Sequence, residues 1–283
     1  MQDEEKGTSQ KSRNASIVEH YYKDSQTEWE RLERHRMEFT ITMRVLREYL
    51  PPAPQTVLDN GGGPGRYTLA LSSLGHQVTL LDLSQHNLHF AQQKAHEDKL
   101  SIHQYIHGNA LNLSSHWTES FDAVLLLGPL YHLLIETERL QAVRESWRVL
   151  RPGGLIFAAF ITRYAAFRDL AQKSPSTLFE KQAEWKEIMD TGIYQASQGV
   201  GFTDAYFAHP AEIKPLMEKA GFATLDLIGC EGIIASNEEQ VNQLTGEAWQ
   251  AWVDLNYQLG TEPSLYGAAD HLLYIGRKPD TSL

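Results

Sequence analysis

The sequence predicts an α/β protein: a doubly wound, mostly parallel sheet covered by helices on both faces. Three observations carry that expectation. Short apolar strands alternate with amphipathic helical stretches from Thr56 onward. Leu155–Ile161 is hydrophobic without alternation, as suits a parallel strand covered on both faces. A glycine-rich turn joins the first strand to its helix.

Taken in order, residues 1–13 are polar and aperiodic and read as a frayed tail. Residues 14–50 form an N-terminal helical cap. Within it Ile17, Val18, Tyr21 and Tyr22 mark a short helix, and Trp29, Leu32, Phe39, Met43, Leu46 and Leu50 mark one face of a long helix from Gln26 to Leu50. Pro51, Pro52 and Pro54 stop it. Residues 51–283 then form the sheet domain. Its strands are Thr56–Asp59, Gln77–Asp82, Ile102–Ile106, Phe121–Leu127 and Leu155–Ile161. Helices Gly65–Leu74 and Ser84 to about Lys99, the latter N-capped by Ser84, follow the first two. Leu140, Val143, Trp147 and Leu150 mark a helix that ends at Arg151-Pro152-Gly153-Gly154. A short helix within His209–Phe222 and strands Ala223–Ile228 and His271–Gly276 complete seven strands. Two inserts, 163–208 and 230–268, are too long for structureless loops and read as helical cover, the second containing Trp249, Trp252, Leu255 and Leu259.

Composition limits the function. The chain has 283 residues, 42% hydrophobic and 22% charged, which supports a full core. Lys+Arg number 25 and Asp+Glu 36, a net charge of −11 that argues against general nucleic-acid binding. The single Cys230 makes no intrachain disulfide or cysteine zinc site and points to a reducing compartment. The polar start lacks a secretory signal pattern, and no apolar run approaches the roughly 18 residues of a membrane span, so a cytoplasmic location is expected. His103 with His107, and His86 with His89, lack further ligands nearby in sequence, so no metal is expected.

The most informative run is Thr56-Val-Leu-Asp-Asn-Gly-Gly-Gly-Pro-Gly-Arg66. Gly61, Gly63 and Gly65 let a backbone turn sharply and approach a ligand. The dinucleotide pattern G-x-G-x-x-G fails, because Arg66 stands at its third glycine. Asp59, at the strand end, would repel a pyrophosphate and favour a sulfonium or ammonium group. Asp82 closes the second strand where such sites place a ribose-binding acid. Asn109 follows the third strand, where its amide oxygen suits an adenine amino group.

Asp59 to Gly65, Asp82, Gly108-Asn109-Ala110, Phe121–Val124 and Leu150–Gly154 together resemble the successive motifs of class I S-adenosylmethionine-dependent methyltransferases. Gly128–Leu133 resembles a bacterial small-molecule branch of them. The resemblance implies a Rossmann-like seven-stranded sheet with an antiparallel C-terminal strand. It implies S-adenosyl-L-methionine as cofactor, S-adenosyl-L-homocysteine as product, and a cofactor site of Asp59, Gly61, Gly63, Gly65, Asp82, Leu83, Asn109, Ala110 and Leu127. Many members have an acid where Asn109 stands, which implies altered affinity without loss of binding. Tyr22 and Arg36 of the cap are further candidates, Arg36 for the cofactor carboxylate.

Tyr131 and His132 follow the fourth strand, where the reacting atom should lie, and His132 is the candidate base or, alternatively, a packing residue. His209 is a second candidate. Aromatic residues of the inserts would either roof the acceptor pocket or build the cap's own core. The expected acceptor is a small, partly apolar molecule methylated at O, N, S or C, and the expected assembly is a monomer or homodimer. The rivals are an RNA-modifying methyltransferase, a non-catalytic S-adenosylmethionine-binding module, and an NAD enzyme, which Arg66 disfavours.

Overall fold

The structure, a computed structural model, describes residues 25–195 and 204–280. The described residues contain nine strands: β1 Thr56–Asn60, β2 Gln77–Asp82, β3 Gln104–His107, β4 Phe121–Leu126, β5 Leu150–Ile161, β6 Ile193–Tyr194, β7 Ala205–Tyr206, β8 Ala223–Gly229 and β9 His271–Arg277. Seven form the main sheet in the order β3-β2-β1-β4-β5-β9-β8. β1 to β5 pair in parallel, and β9 is antiparallel to both β5 and β8, so the reversed strand lies inside the sheet and β8 at its edge. The strand order reverses between β1 and β4. In open α/β sheets the crevice at the carboxyl ends of such strands is where ligands bind.

Alternation along the strands divides the core. Leu58, Val124, Leu126 and Ile156 face one side, where α5 (Glu136–Val149) and α9 (Pro210–Lys219) bring Val143, Ile213 and Met217. Val57, Ala123, Leu125 and Phe157 face the other. They pack under α2 (Arg36–Tyr49), α3 (Arg66–Ser73) and α11 (Gly246–Gly260), which bring Ile41, Leu46, Leu71, Trp249 and Val253. Burial on both faces explains why these strands are almost wholly apolar.

The expected long helix from Gln26 to Leu50 is two helices, α1 (Ser25–Arg34) and α2, broken at His35. Its two halves serve different surfaces. α2 lies on the sheet face, whereas α1 turns toward the strand ends and meets α4 (Gln85–Glu97): Ser25 Oγ donates to Asn87 Oδ1 at 2.9 Å and the Trp29 and Phe90 rings lie 5.7 Å apart. One continuous stripe cannot serve both directions, and the chain bends between them. β3 runs two residues later at its start than the expected Ile102–Ile106, because pairing with β2 aligns Asp82 with His107. β5 starts at Leu150, before the expected Leu155, since Arg151–Gly154 bulges without leaving the sheet.

The first insert forms α6 (Arg163–Lys173), α7 (Thr177–Glu180), α8 (Gln182–Thr191) and the two-stranded β6-β7 sheet. The second contains α10 (Glu238–Asn242) and α11 flanked by two 3-10 turns. No helix among the described residues is long and apolar enough to cross a membrane.

Candidate active site

The turn between β1 and α3 is tied to the end of β2. Gly61 and Gly62 donate their N–H groups to the Leu81 carbonyl at 2.7 and 3.2 Å, and Gly63 N–H donates to Asp82 Oδ2 at 2.8 Å. Gly61 has φ +76°, and a Cβ there would sit 2.4 Å from Pro129 Cγ. This glycine is therefore required both by its backbone conformation and by the loop after β4, which passes directly against it.

Two carboxylates sit under this loop. Asp59 is 1% exposed; its Oδ2 accepts from Thr68 Oγ1 at 2.6 Å, while Oδ1 finds no partner among the described residues. Burial pushes its pKa up to about 6, against the opposing Thr68 hydrogen bond. Asp82 accepts from Gly63 N, from Ser84 N at 2.8 Å and from Asn87 Nδ2 at 3.2 Å. Burial raises its pKa, partly offset by these three bonds. A carboxylate has about four acceptor positions. Three are used within the chain, which leaves Asp82 an acceptor position for a ligand hydroxyl.

A cavity of about 340 Å³ opens along the strand ends. It brings together Asp59, Gly61, Gly63, Asp82, Leu83, Asn109, Ala110, Leu127, Tyr131 and His132, residues that span more than 70 positions of the chain. Asn109 lines it, but its Oδ1 accepts the Leu111 N–H at 2.9 Å, the use of a turn residue. Tyr131 and His132 lie on the single turn after β4, with rings 4.8 Å apart. Burial and the nearby Arg31 charge pull His132 down to about 4, so its ring is neutral at pH 7 and a weak proton acceptor.

Other expected residues lie elsewhere. Gly65 stands behind the loop as the N-cap of α3 with φ +85°, where a Cβ would press on Ala91 at 2.9 Å. Arg36 does not line the cavity: its Nη1 donates to the carbonyls of Asn242 and Leu244 at 3.0 and 2.9 Å, and its guanidinium lies over Trp249 at 3.8 Å. It starts α2 and points along the sheet face, so the second insert claims it. His209 caps α9, accepting Ala211 N–H at 3.2 Å, and is likewise outside the cavity wall. Tyr22 lies outside the described residues.

Among the described residues, the inserts do not roof the cavity. None of the described residues of 163–208 lines it, and Phe167, Trp185 and Tyr194 pack instead with Ile188 and Phe207. Trp249 and Trp252 belong to the core under α2 and α11. The N-terminal helices close the site, through Glu28, Arg31, Leu32 and Glu38. The loop holds α1 in place, since the Arg66 guanidinium donates to the Leu32 carbonyl and covers the Phe39 ring. Sequence reasoning missed Glu38 and His271, which line the far wall with Glu231 behind them. Besides the Trp29 and Leu32 stripe, the i, i+3 spacing of Glu28 and Arg31 was a further signal for α1.

Residues 58–158 match the Methyltransferase domain family model. The chain is 35% identical over 120 residues to the tRNA 5-carboxymethoxyuridine methyltransferase of Escherichia coli, covering 41% of this chain and 44% of that protein. It is 28% identical over 214 residues to a ubiquinone biosynthesis O-methyltransferase of Psychrobacter arcticus, covering 74% and 72%. The chain spans less than half the length of several curated relatives that it matches. Among solved structures, an S-adenosylmethionine-dependent methyltransferase of Methanosarcina mazei superposes with a TM-score of 0.57 at 19% identity, covering 83% of this chain and 97% of that one. The 1,6-didemethyltoxoflavin-N1-methyltransferase of Burkholderia thailandensis, solved with S-adenosylhomocysteine, gives 0.54 at 16% identity, covering 95% and 90%. Residues 58–158 therefore carry a methyltransferase domain, on the fold of the S-adenosylmethionine-dependent methyltransferases.

The methyltransferase site suits that cofactor. The unpartnered Oδ1 of Asp59 and the open space beside Gly63, where a Cβ would meet nothing closer than Asn87 Nδ2 at 4.0 Å, provide an acidic floor and a close backbone approach. A cationic sulfonium ligand would relieve the buried negative charge that Asp59 and Asp82 impose on each other.

This arrangement has a pH signature. A carboxyl whose folded pKa is raised from 3.8 to about 6 costs the folded state nothing below pH 3.8 and a growing amount as pH rises to 6. The full cost is on the order of 2–3 kcal/mol. Asp59→Asn should therefore stabilise the unliganded protein at pH 7.5 and not at pH 4, by urea unfolding at both. A difference that is the same at both values would show that Asp59 is not strained by burial.

Proposed function

We propose that this chain transfers the methyl group of S-adenosylmethionine to a small, partly apolar acceptor. The observation that supports this most is the continuity of one cavity from the Asp82 end, suited to a nucleoside, past the glycine loop to Tyr131, His132 and His271. When bound, the cofactor supplies a methyl group already activated by its sulfonium. The chain's own residues then hold the acceptor in line and exclude water. α1 and α2 exclude water by covering the strand ends, and Leu127, Tyr131 and Leu133 give the acceptor region apolar and aromatic surface. Neutral His132 serves as a hydrogen-bonding and packing group for the acceptor, because a group protonating near pH 4 has little driving force to accept a proton.

RNA modification is the second reading, favoured by the likeness to the E. coli tRNA enzyme over 120 residues. The carboxylates Glu28, Glu38 and Glu138 at the cavity, on a chain of net charge −11, weigh against a phosphate backbone approaching it.

Isothermal titration with S-adenosylhomocysteine and NAD tests the cofactor. Micromolar binding of S-adenosylhomocysteine and none of NAD is expected; the reverse would remove this reading. Once an acceptor is in hand, His132→Asn should reduce kcat less than about tenfold. A loss of about 100-fold or more would restore His132 as the base.

A further inference from the structure

The cavity runs along the strand ends from Gly108–Leu111 after β3, past Asp82 and Asp59, to Leu127 after β4 and finally His271 at the start of β9. The glycine loop and Asp82 assign the β1–β3 end to the nucleoside. β9 lies three strands from β1, on the order of 14 Å away at the usual strand spacing. What stands there is a mixed cluster: Glu38 of α2, Glu231 after β8, and His271, with donor atoms all within 4.8 Å of one another.

The cluster is built around the imidazole. Glu231, 1% exposed, accepts the His271 backbone N–H at 2.8 Å through Oε2 and lies 2.5 Å from His271 Nδ1 through Oε1. Both its oxygens are therefore engaged with His271, one on the backbone and one on the ring. Nε2 is the remaining polar atom of that ring, and both His271 and Glu38 line the cavity. The charged and titratable groups facing the ring are Glu38 from α2, His35 just before it, Glu231 after β8 and Asp270 before β9; Arg31 of α1 and Arg66 of α3 act on Glu38, and Cys230 lies beside Glu231. Burial alone would pull the His271 imidazolium down, but Glu231 and Glu38 outweigh it and hold it at about 10. At neutral pH the wall thus presents one donor, Nε2–H, beside one acceptor, the Glu38 carboxylate.

We propose that His271 and Glu38 form the acceptor-binding end of the site and take a neutral hydroxyl, which makes the reaction an O-methylation; this rests on the methyltransferase reading above. A hydroxyl satisfies both groups, its oxygen accepting from His271 and its proton going to Glu38. A carboxylate would set its charge against Glu38, and an ammonium would set its charge against His271 and lacks a lone pair. In the transfer the hydroxyl oxygen forms a bond to the methyl carbon as the carbon–sulfur bond breaks, its electron pair staying on sulfur. The proton of the alkylated, oxonium-like oxygen is then strongly acidic and passes to the Glu38 carboxylate, a weak base because, against burial, His271, His35 and Arg31 hold its pKa below the usual value. His271 remains protonated and bonds the oxygen as charge develops on it. Glu231 is a positioning residue that acts only through His271.

The test uses the full chain saturated with S-adenosylhomocysteine, histidine side chains labelled with nitrogen-15, and three probes: catechol, benzoate and benzylamine. Catechol is expected to shift the His271 Nε2 resonance, and the Glu38→Gln variant to bind catechol at least tenfold more weakly while keeping S-adenosylhomocysteine affinity within about threefold. Glu231→Gln should move the His271 titration midpoint from about 10 toward the ordinary value of 6.5, a change that loss of packing alone does not produce. Response to benzoate or benzylamine in place of catechol, or to none of the three, overturns the proposal. So does a tenfold loss of S-adenosylhomocysteine affinity in Glu38→Gln, which would assign Glu38 to the cofactor. Failure of the parent protein to bind S-adenosylhomocysteine at all would instead remove the methyltransferase reading itself.

Discussion

Asp82→Ala is expected to weaken S-adenosylhomocysteine binding by about 100-fold, which corresponds to about 2.7 kcal/mol. Two losses contribute. The ligand loses a charge-assisted hydrogen bond from its ribose, and the loop loses the acceptor that holds Gly63 N at 2.8 Å and Ser84 N at 2.8 Å. The variant should also lose about 2–4 kcal/mol of stability, because buried backbone donors are left without a partner. Removing a carboxylate that Glu28 already repels offsets part of that cost. Isothermal titration and urea unfolding read the two effects separately. Unchanged affinity in a destabilised protein would mean that Asp82 serves only the loop and that the ribose is held elsewhere.

Gly61→Ala should be the more damaging substitution for the fold of the site. At φ +76° an alanine costs about 1–2 kcal/mol in backbone conformation alone. Its Cβ would also lie 2.4 Å from Pro129 Cγ and 2.8 Å from Pro129 Cδ, so one of the two loops must move. Together these predict a loss of about 2–4 kcal/mol. The displaced loop carries Tyr131 and His132, so acceptor binding should suffer as well as cofactor binding. Gly63→Ala serves as a control: at φ +58° it carries a similar backbone cost of about 1–2 kcal/mol, but its Cβ meets nothing closer than 4.0 Å within the protein, so it lacks the clash that Gly61→Ala adds. Equal destabilisation by the two substitutions would show that contact with Pro129 is not what demands glycine at position 61.

Much of the nucleoside end was legible before any coordinates. Gly61, Gly63, Asp59 and Asp82 occur as local signals, a turn pattern and two strand ends, and the fold holds them within one cavity. The same locality explains the helix cap at Ser84, whose side chain accepts from Asn87 N as its position suggested. Arg36 misled for the same reason. A cation on a helix beside the site looks available until the second insert, more than 200 residues later, supplies the Asn242 and Leu244 carbonyls that take it.

The cluster proposed as the acceptor end was not legible, and the cause is separation along the chain. Glu38, Glu231 and His271 come from the second helix, a loop after β8 and the first residue of β9, with no pattern joining them. Only the antiparallel insertion of β9 between β5 and β8, with the first turn of α2 reaching the strand ends, makes them neighbours. Which of the two roles the insert aromatics play was open in the sequence for a related reason. Aromatic content marks a buried surface but does not say which cavity it faces, and the insert aromatics bury one another while α1 and α2 cover the site. Sequence by itself determined the sheet, the glycine turn and the two carboxylates, because periodicity and turn chemistry act between residues close in the chain. Tertiary structure alone decided what closes the cavity and what waits at its far end, because those contacts depend on which distant segments can bury their surfaces together.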